Sequence, residues 1–332
     1  MLGTLYAVSP WALLLVAIVG FPFDALAQAP SGKPAYPVKP IRLVVPFASG
    51  GSPDIQGRML ATKLAQQLGQ QVVIDNRAGA NGVIAMEIVA RAPADGYTII
   101  IGSVGTWAVH PYLYKLPYDV LRDFAPIIHV ATTPAVLVVH PSVPVRSVSE
   151  LIALAQRKPG EITYASSGIG GFGHISAELF SAMTKIKMTH VPYKGSAPAL
   201  IDVIGGHVNV FFISALPSAP HIKAGQVRAL GTTGARRLAI LPDLPTIAEA
   251  GVPGYENSTW AGIGAPARTP PAIIKNLNRE LAAILRMPDI REPLAASGSI
   301  VTGGTPEEFS AYLKLELAKF GKLIKETGIK AE

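Results

Sequence analysis

From Ile41 onward, short apolar runs alternate with longer segments in which apolar residues return every three or four positions. Ile41–Val45 reads as a strand buried on both sides. In Asp54–Leu68, Ile55, Met59, Leu60 and Leu64 fall on one helical face, and Gly69 stops the helix. Val72–Ile74 is a second strand, Gly82–Ala92 a helix halted by Pro93, and Tyr97–Gly102 a third strand. Strand–helix alternation of this kind predicts a parallel sheet with helices on both faces.

A second series of the same kind follows. Ser147-Val-Ser-Glu150 is a capping box opening a helix. Ile162–Ala165, Thr189–Pro192, Val208–Ile213 and Val227–Thr232 read as strands, with helices at His174–Met183 and Ala197–Ile204. The chain then returns to helix at Pro270–Leu285. Another helix opens at the capping box Thr305-Pro-Glu-Glu308 and runs toward Lys325. Ile127–His140 and Thr259–Pro266 are placed to cross between the two series, which predicts one unit inserted into the other with a hinge at the crossings. The expected division is residues 38–135 with 259–332 as one domain and 136–258 as the other.

The first 23 residues carry no charge, and Trp11–Gly20 is an apolar core of signal-peptide length. Ala25-Leu26-Ala27 before Gln28 fits a small-x-small cleavage site, so residues 1–27 read as a signal peptide and 28–37 as a flexible lead-in to a periplasmic protein. No Lys or Arg precedes Lys33, so an uncleaved anchor is the rival reading. Pro10, Pro22 and Asp24 shorten its span.

The 332 residues suit two domains of ordinary size, and 49% apolar against 15% charged residues marks a well-buried globular chain. There is no cysteine, which excludes disulfides, thiolate nucleophiles and zinc–thiolate sites. Net charge is +7 with a pI near 9.5. The basic residues are scattered rather than gathered with aromatics on one face, which argues against nucleic acid. A mild positive field suits an anionic small molecule.

The chemistry gathers at strand–helix junctions. In Val44-Val-Pro-Phe-Ala-Ser-Gly-Gly-Ser-Pro-Asp54, Gly50 and Gly51 permit a close backbone approach, Ser52 is placed to cap the helix, and Pro53 suits its first turn. Free amides and the helix dipole then favour an anion, with an ordinary tight strand–helix turn as the alternative reading of this stretch alone. Asp54 suits tying down the turn better than touching an anion. Asp75-Asn-Arg-Ala-Gly-Ala-Asn-Gly82 repeats the design, and Gly102-Ser-Val-Gly-Thr106 ends the third strand. In a parallel sheet these turns share the carboxyl edge, where ligands bind.

Gly168-x-Gly170-x-x-Gly173 matches a dinucleotide pattern, but the next strand ends in Tyr193-Lys194-Gly195 without the acid a ribose needs. A second anion-holding turn rich in hydroxyls is the better reading, with Lys194 either supplying charge or simply solvated. No cofactor is expected. The seven histidines show no metal-ligand spacing, and no Gly-x-Ser-x-Gly elbow or P-loop lysine is present. Nothing in the spacing sets a nucleophile beside a base, so a hydrolase or nicotinamide enzyme on the same architecture is the alternative to a binding protein.

Taken together, these motifs resemble the tripartite tricarboxylate transporter substrate-binding proteins, the Bug family. The likeness runs from about Tyr36 to Ile329. It rests on Pro46–Gly51 with Asp54, Asp75–Gly82, Ala94–Tyr97 and Tyr193–Gly195 with Ala197. Gly205–Val208, Leu241–Thr246, Glu249–Gly251, Trp260 and Ala265-Pro266 complete it. The resemblance implies a type II periplasmic-binding-protein fold, two α/β domains joined by crossing segments around a ligand cleft. It implies a monomeric receptor that hands a small organic carboxylate to membrane transporter subunits, or acts as an orphan receptor. Carried onto this chain, it places Phe47, Ala48, Ser49, Gly50 and Gly51 with Gly79, Ala80 and Asn81 on one side of the ligand. Ser166, Ser167, Gly168, Tyr193, Lys194 and Gly195 face them, while Asp54 and Ser103 complete the expected site. Three positions depart from the family pattern: Ser49 stands where a proline precedes the glycine pair, Gly57 where alanine precedes Arg58, and Phe172 in a stretch usually small or hydroxylic.

Overall fold

The computed structural model describes residues 36–296 and 298–330. The signal-peptide reading of residues 1–27 therefore lies outside the described residues. Of the expected lead-in only Tyr36 and Pro37 are described, and Tyr36 is anchored. Its hydroxyl donates to the Gly96 carbonyl at 2.6 Å, and its ring packs 5.0 Å from that of Tyr97.

The first half of the chain lays down β1 (Ile41–Val45), α1 (Ser52–Leu68), β2 (Val72–Asn76), α2 (Val83–Ala90) and β3 (Thr98–Ser103). The expected alternation is present within a residue or two. β1 lies between parallel β2 and β3. Its near-continuous apolar run follows from burial on both faces. α1 ends where Gly69 takes a left-handed φ of 64°. A π-turn at Gly105–Val109 and α3 (His110–Leu113) then lead to β4 (Phe124–Val139).

β4 is the axis of the molecule. Over its first part it pairs antiparallel with β9 (Ser258–Pro266) and β10 (Ile300–Gly303). Over Ala135–Val139 it pairs antiparallel with β7 (Val210–Ser214), and from Val136 with β8 (Arg228–Thr232). The second series continues outward through β5 (Thr163–Ser166) and β6 (Thr189–Pro192), both parallel to their neighbours in the order β7-β5-β6. The whole order is β2-β1-β3-β9-β4-β7-β5-β6, with β10 and β8 attached to β4. The sheet is thus mixed rather than all-parallel, because β4 and β9 run against the strands they join.

The helices cover both faces of both ends. α1, α8 (Pro271–Ile284) and α9 (Pro288–Ala296) bury Leu60, Leu64, Leu277, Leu281 and Ile290 on one face of the first half. α2 and α10 (Pro306–Thr327) cover the other with Met86, Phe309 and Phe320 around Trp107. α10 opens on the predicted capping box, with Thr305 and Glu308 bonded reciprocally. In the second half α4 (Val148–Arg157) and α5 (Phe172–Thr184) pack Leu151 and Phe180 against Tyr164 and Phe212. α6 (Ser196–Ile204) and α7 (Ala215–Lys223) close the opposite face. At Ser147 the cap is only half as expected: its hydroxyl accepts from Glu150 N–H, but the Glu150 carboxylate accepts from Arg146 N–H instead. No described helix is long and apolar enough to cross a membrane.

Candidate ligand-binding site

The junction after β1 is held by a carboxylate. Asp54 is buried, and its Oδ2 accepts from Gly50 N–H at 2.9 Å and Arg58 Nε at 3.0 Å. Its Oδ1 accepts from Asn76 Nδ2 at 2.9 Å, and the same Asn76 amide donates to the Phe47 carbonyl at 3.0 Å. Burial by itself would raise this carboxyl. The bonds from Arg58, Gly50 and Asn76 outweigh it and hold the group below the ordinary carboxylate range. Asp54 therefore ties the turn, with its oxygens consumed by protein. Ser52 does not cap α1 as expected. Gly51 occupies the N-cap with extended backbone and no side-chain cap bond, and Ser52 is the first helical residue, its Oγ accepting from Gln56 Nε2 at 3.4 Å.

The turn after β2 is strained where it meets the other half of the chain. Ala80 and Asn81 are non-glycine residues with φ of 43° and 50°. Asn81 Nδ2 lies 3.0 Å from His110 Nε2 and donates to the Ile169 carbonyl of the turn after β5. Tyr114 donates to that same carbonyl at 2.7 Å. Gly168 sits directly over Asn81 with φ 125°, and a Cβ there would come 2.9 Å from Asn81 Oδ1. Only glycine meets both demands.

The turn after β5 is internally tied. Ser166 is fully buried, and its Oγ lies 2.6 Å from His190 Nε2 while accepting from Gly168 N–H at 3.0 Å. His174 Nδ1 accepts from Gly170 N–H at 3.1 Å. His174 and His190 stack at 4.4 Å, with Tyr164 beyond at 4.8 Å from His190. Burial lowers both imidazoles, to about 4 for His174 and about 3 for His190, the latter also opposed by His174. Both are neutral near pH 7, as the acceptor role of His174 requires. The Ser166–His190 pair resembles a nucleophile with its base, but Ser166 Oγ is enclosed by its own turn.

These turns surround a narrow cavity of about 50 Å³, room for a few water molecules. Its wall takes the first residues of three helices: Ser52 and Pro53 of α1, Phe172 and Gly173 of α5, and Ser196 of α6. The N-cap of α7, Ser214, is a fourth. None of the four helices has a side-chain cap bond, and three have glycine at the cap. Ser103, Ser167 and Thr259 add hydroxyls, and Phe47 and Ile213 apolar surface. The lining carries no charged side chain. What such a wall offers is amides, hydroxyls and positive helix ends, the requirements of an anion held without a counter-charge.

Of the residues expected from sequence, Phe47, Ser103 and Ser167 line this cavity. Ala48, Gly50 and Gly51 form its rim against the opposite turn. A Cβ on Gly50 would meet Ala197 at 3.3 Å, one on Gly51 would meet Ser196 Oγ at 2.8 Å, and one on Gly195 would meet Ala48 N at 3.3 Å. Ser49 is exposed, as is Lys194, and neither lines the cavity. Asn81 and Gly168 make the contact between the turns, Gly79 and Ala80 shape the turn that carries Asn81, and Ser166 is tied within its own turn. The Tyr193 hydroxyl donates to Asp202 at 2.6 Å. Burial, and then that carboxylate, push the phenol up to about 12. Ser196, Ser214 and Thr259 were not foreseen. The first two repeat the hydroxyl-at-a-helix-start pattern of Gly51-Ser52, which is the signal that marks them, and Thr259 has none.

Residues 57–329 match the family described as the tripartite tricarboxylate transporter family receptor. The chain belongs to this family. It is 37% identical over 319 residues to Protein BugT of Bordetella pertussis, covering 95% of this chain and 98% of that one. A solved structure titled R. palustris Rpa4515 with adipate has a TM-score of 0.87 at 43% identity, over 89% of this chain and 99% of that one. Another, MatC (Rpa3494) from Rhodopseudomonas palustris with bound malate, has a TM-score of 0.84 at 30% identity, over 87% and 100%. The fold is that of the family's periplasmic binding proteins, as the motifs implied.

Proposed function

We propose that the protein is a periplasmic receptor that captures a small organic carboxylate and presents it to a tripartite membrane transporter. The observation that carries this reading is the cavity wall: four uncapped helix starts and a set of hydroxyls, with no charged side chain. A carboxylate there accepts from the first-turn amides of α1 and α5, while Ser52, Ser167 and Ser196 complete its shell. Adipate and malate in the titles of two relatives' structures fit such a wall.

In this reading residues 38–135 with 259–332 form one lobe and residues 136–258 the other. The lobes part to admit the ligand and close on it through the contacts at Gly51–Ser196, Gly195–Ala48 and Gly168–Asn81. β4, which pairs with both ends of the sheet, is the bending element. The protein works as a monomer.

The test is a thermal-shift panel on the purified protein with adipate, malate, succinate and benzoate, their amides, and NAD. A carboxylate at a hundred times its Kd adds about 2.7 kcal/mol of stability. Shifts with some carboxylates and none with their amides are the expected result. A shift with NAD, or turnover of a carboxylate ester, would replace the receptor with the enzyme reading.

A further inference from the structure

We propose that Tyr114 and Asn81 act as a clasp on the Ile169 carbonyl that holds the two lobes closed and so lengthens ligand retention, although neither side chain lines the cavity. This rests on the two-lobe closing proposed above, and not on which carboxylate is held.

Both donors come from the first lobe, residues 38–135 with 259–332, and the carbonyl from the second. The Tyr114 hydroxyl donates to it at 2.7 Å, and Asn81 Nδ2 donates to it as well. The turn that carries Ile169 is seated against the first lobe with little space to spare. A Cβ on Gly170 would come 2.7 Å from Leu113 and 3.2 Å from His110 Cδ2, and one on Gly105 would come 3.2 Å from the Gly170 carbonyl oxygen. The Ile169 carbonyl is therefore presented at one place, and its capacity for two bonds is filled.

The turn after β2 carries costs that this contact explains. Asn81 Nδ2 also reaches His110 Nε2 at 3.0 Å. His110 is fully buried, and burial lowers its imidazole to about 3, so the ring is neutral and Nε2 can accept. In that arrangement Asn81 Oδ1 and His110 Nδ1 are left buried without a partner among the described residues. Turning the amide over would set its oxygen against the Ile169 carbonyl oxygen instead. Asn81 also has φ 50° and Ala80 φ 43°. Strained backbone and unpaired buried atoms gather at clamps and switches. Here they leave the contact between the turns only weakly favourable, as a clasp that must also open requires.

When the lobes part, water replaces the carbonyl for both donors. Each bond then favours the closed state by its net worth alone, roughly a fivefold change in the ratio of closed to open. Ligand affinity follows the closed fraction.

The chain has no cysteine, and a Cβ at Gly51 would stand 2.8 Å from Ser196 Oγ, so cysteines at these two positions meet at disulfide range only in the closed state. The measure is the rate at which oxidised glutathione cross-links the Gly51→Cys/Ser196→Cys protein without ligand. Adding Tyr114→Phe, which keeps the ring 5.3 Å from His110, should slow it about fivefold. Adding Asn81→Gly, which suits the positive φ, should slow it as much, and the two together more. Tyr112→Phe, in α3, removes a hydroxyl not bonded to Ile169 and should leave the rate unchanged. In the cysteine-free chain, the adipate or malate complex should dissociate about fivefold faster with Tyr114→Phe or Asn81→Gly, with association within about twofold of the parent. Three results overturn the clasp: parental cross-linking with Tyr114→Phe and Asn81→Gly combined, the same slowing in Tyr112→Phe, or unchanged ligand dissociation in a variant that cross-links slowly. Slower cross-linking in a protein that binds no carboxylate would keep the clasp and overturn the carboxylate reading.

Discussion

Gly51→Val is the sharpest perturbation of the contact between the turn after β1 and the start of α6. Gly51 has φ −80° and ψ 166°, a conformation open to any residue, so its backbone gives valine no reason to unfold the protein. As an N-cap, valine is inferior to glycine by up to about 1 kcal/mol. The main effect lies across the cleft. A Cβ at Gly51 would stand 2.8 Å from Ser196 Oγ, closer than such atoms approach, and the two methyls of valine extend further. Overpacking of this kind costs about 1–3 kcal/mol, charged only to the state in which the turns touch. If the ligand binds that state, affinity falls by the same amount, roughly 5- to 150-fold. Titration calorimetry with the tightest carboxylate from the panel reads the loss, and urea melts of the unliganded protein check the fold. Ser196→Ala removes the atom in conflict, so the double variant should recover part of the affinity, a coupling of about 1 kcal/mol or more in a double-mutant cycle. Unchanged affinity in a folded Gly51→Val protein, or strict additivity with Ser196→Ala, would refute the placement of the ligand between these turns.

Two further predictions follow from groups around the same turns. Asp54→Ala leaves Gly50 N–H, Asn76 Nδ2 and Arg58 without their shared acceptor, and should lower stability by about 2–3 kcal/mol in urea melts. A loss under about 0.5 kcal/mol would mean the turn keeps its shape without the carboxylate. The stacked His174 and His190 have folded pKa values near 4 and 3, below the free value of about 6.5. Below pH 6.5 the unfolded chain takes up protons that the folded chain refuses. Stability is therefore full above that pH and declines as pH falls toward 4. Discounted for the partly exposed His190, the pair contributes about 1–2 kcal/mol per pH unit. Urea midpoints between pH 7 and 4.5 should fall accordingly, and a level midpoint would contradict the neutral pair.

Much of this architecture was readable in advance because its signals are local. The apolar run of Ile41–Val45, the Gly69 stop and the Thr305–Glu308 box each lie within a few residues. The same holds for the turn at Gly50-Gly51, whose chemistry depends on its own backbone. α7 was not readable, since Ala215–Lys223 contains Pro217 and Pro220, which ordinarily argue against a helix. The antiparallel course of β9 was hidden for another reason: strand direction depends on pairing with β4, and no residue in Thr259–Pro266 encodes it. The pairs that shape the site join residues far apart, Ser166 with His190, Asn81 with Ile169, and Gly51 with Ser196. Only the folded sheet brings them together. The three cavity hydroxyls missed, on Ser196, Ser214 and Thr259, belong to that class.

β9 carries a last implication. Thr259 faces the cavity, and its neighbour Trp260 lies on the opposite side, wedged against Phe309 and Tyr312 with its Nε1–H donating to the buried Glu316 at 2.8 Å. The floor of the cavity is therefore braced from behind and has little freedom to deform. A receptor built this way would diversify by exchanging the atoms at the tips of its strands, a hydroxyl for a methyl or an amide, while the frame that spaces them stays fixed. Descendants with new tastes would then share one scaffold and differ at very few positions.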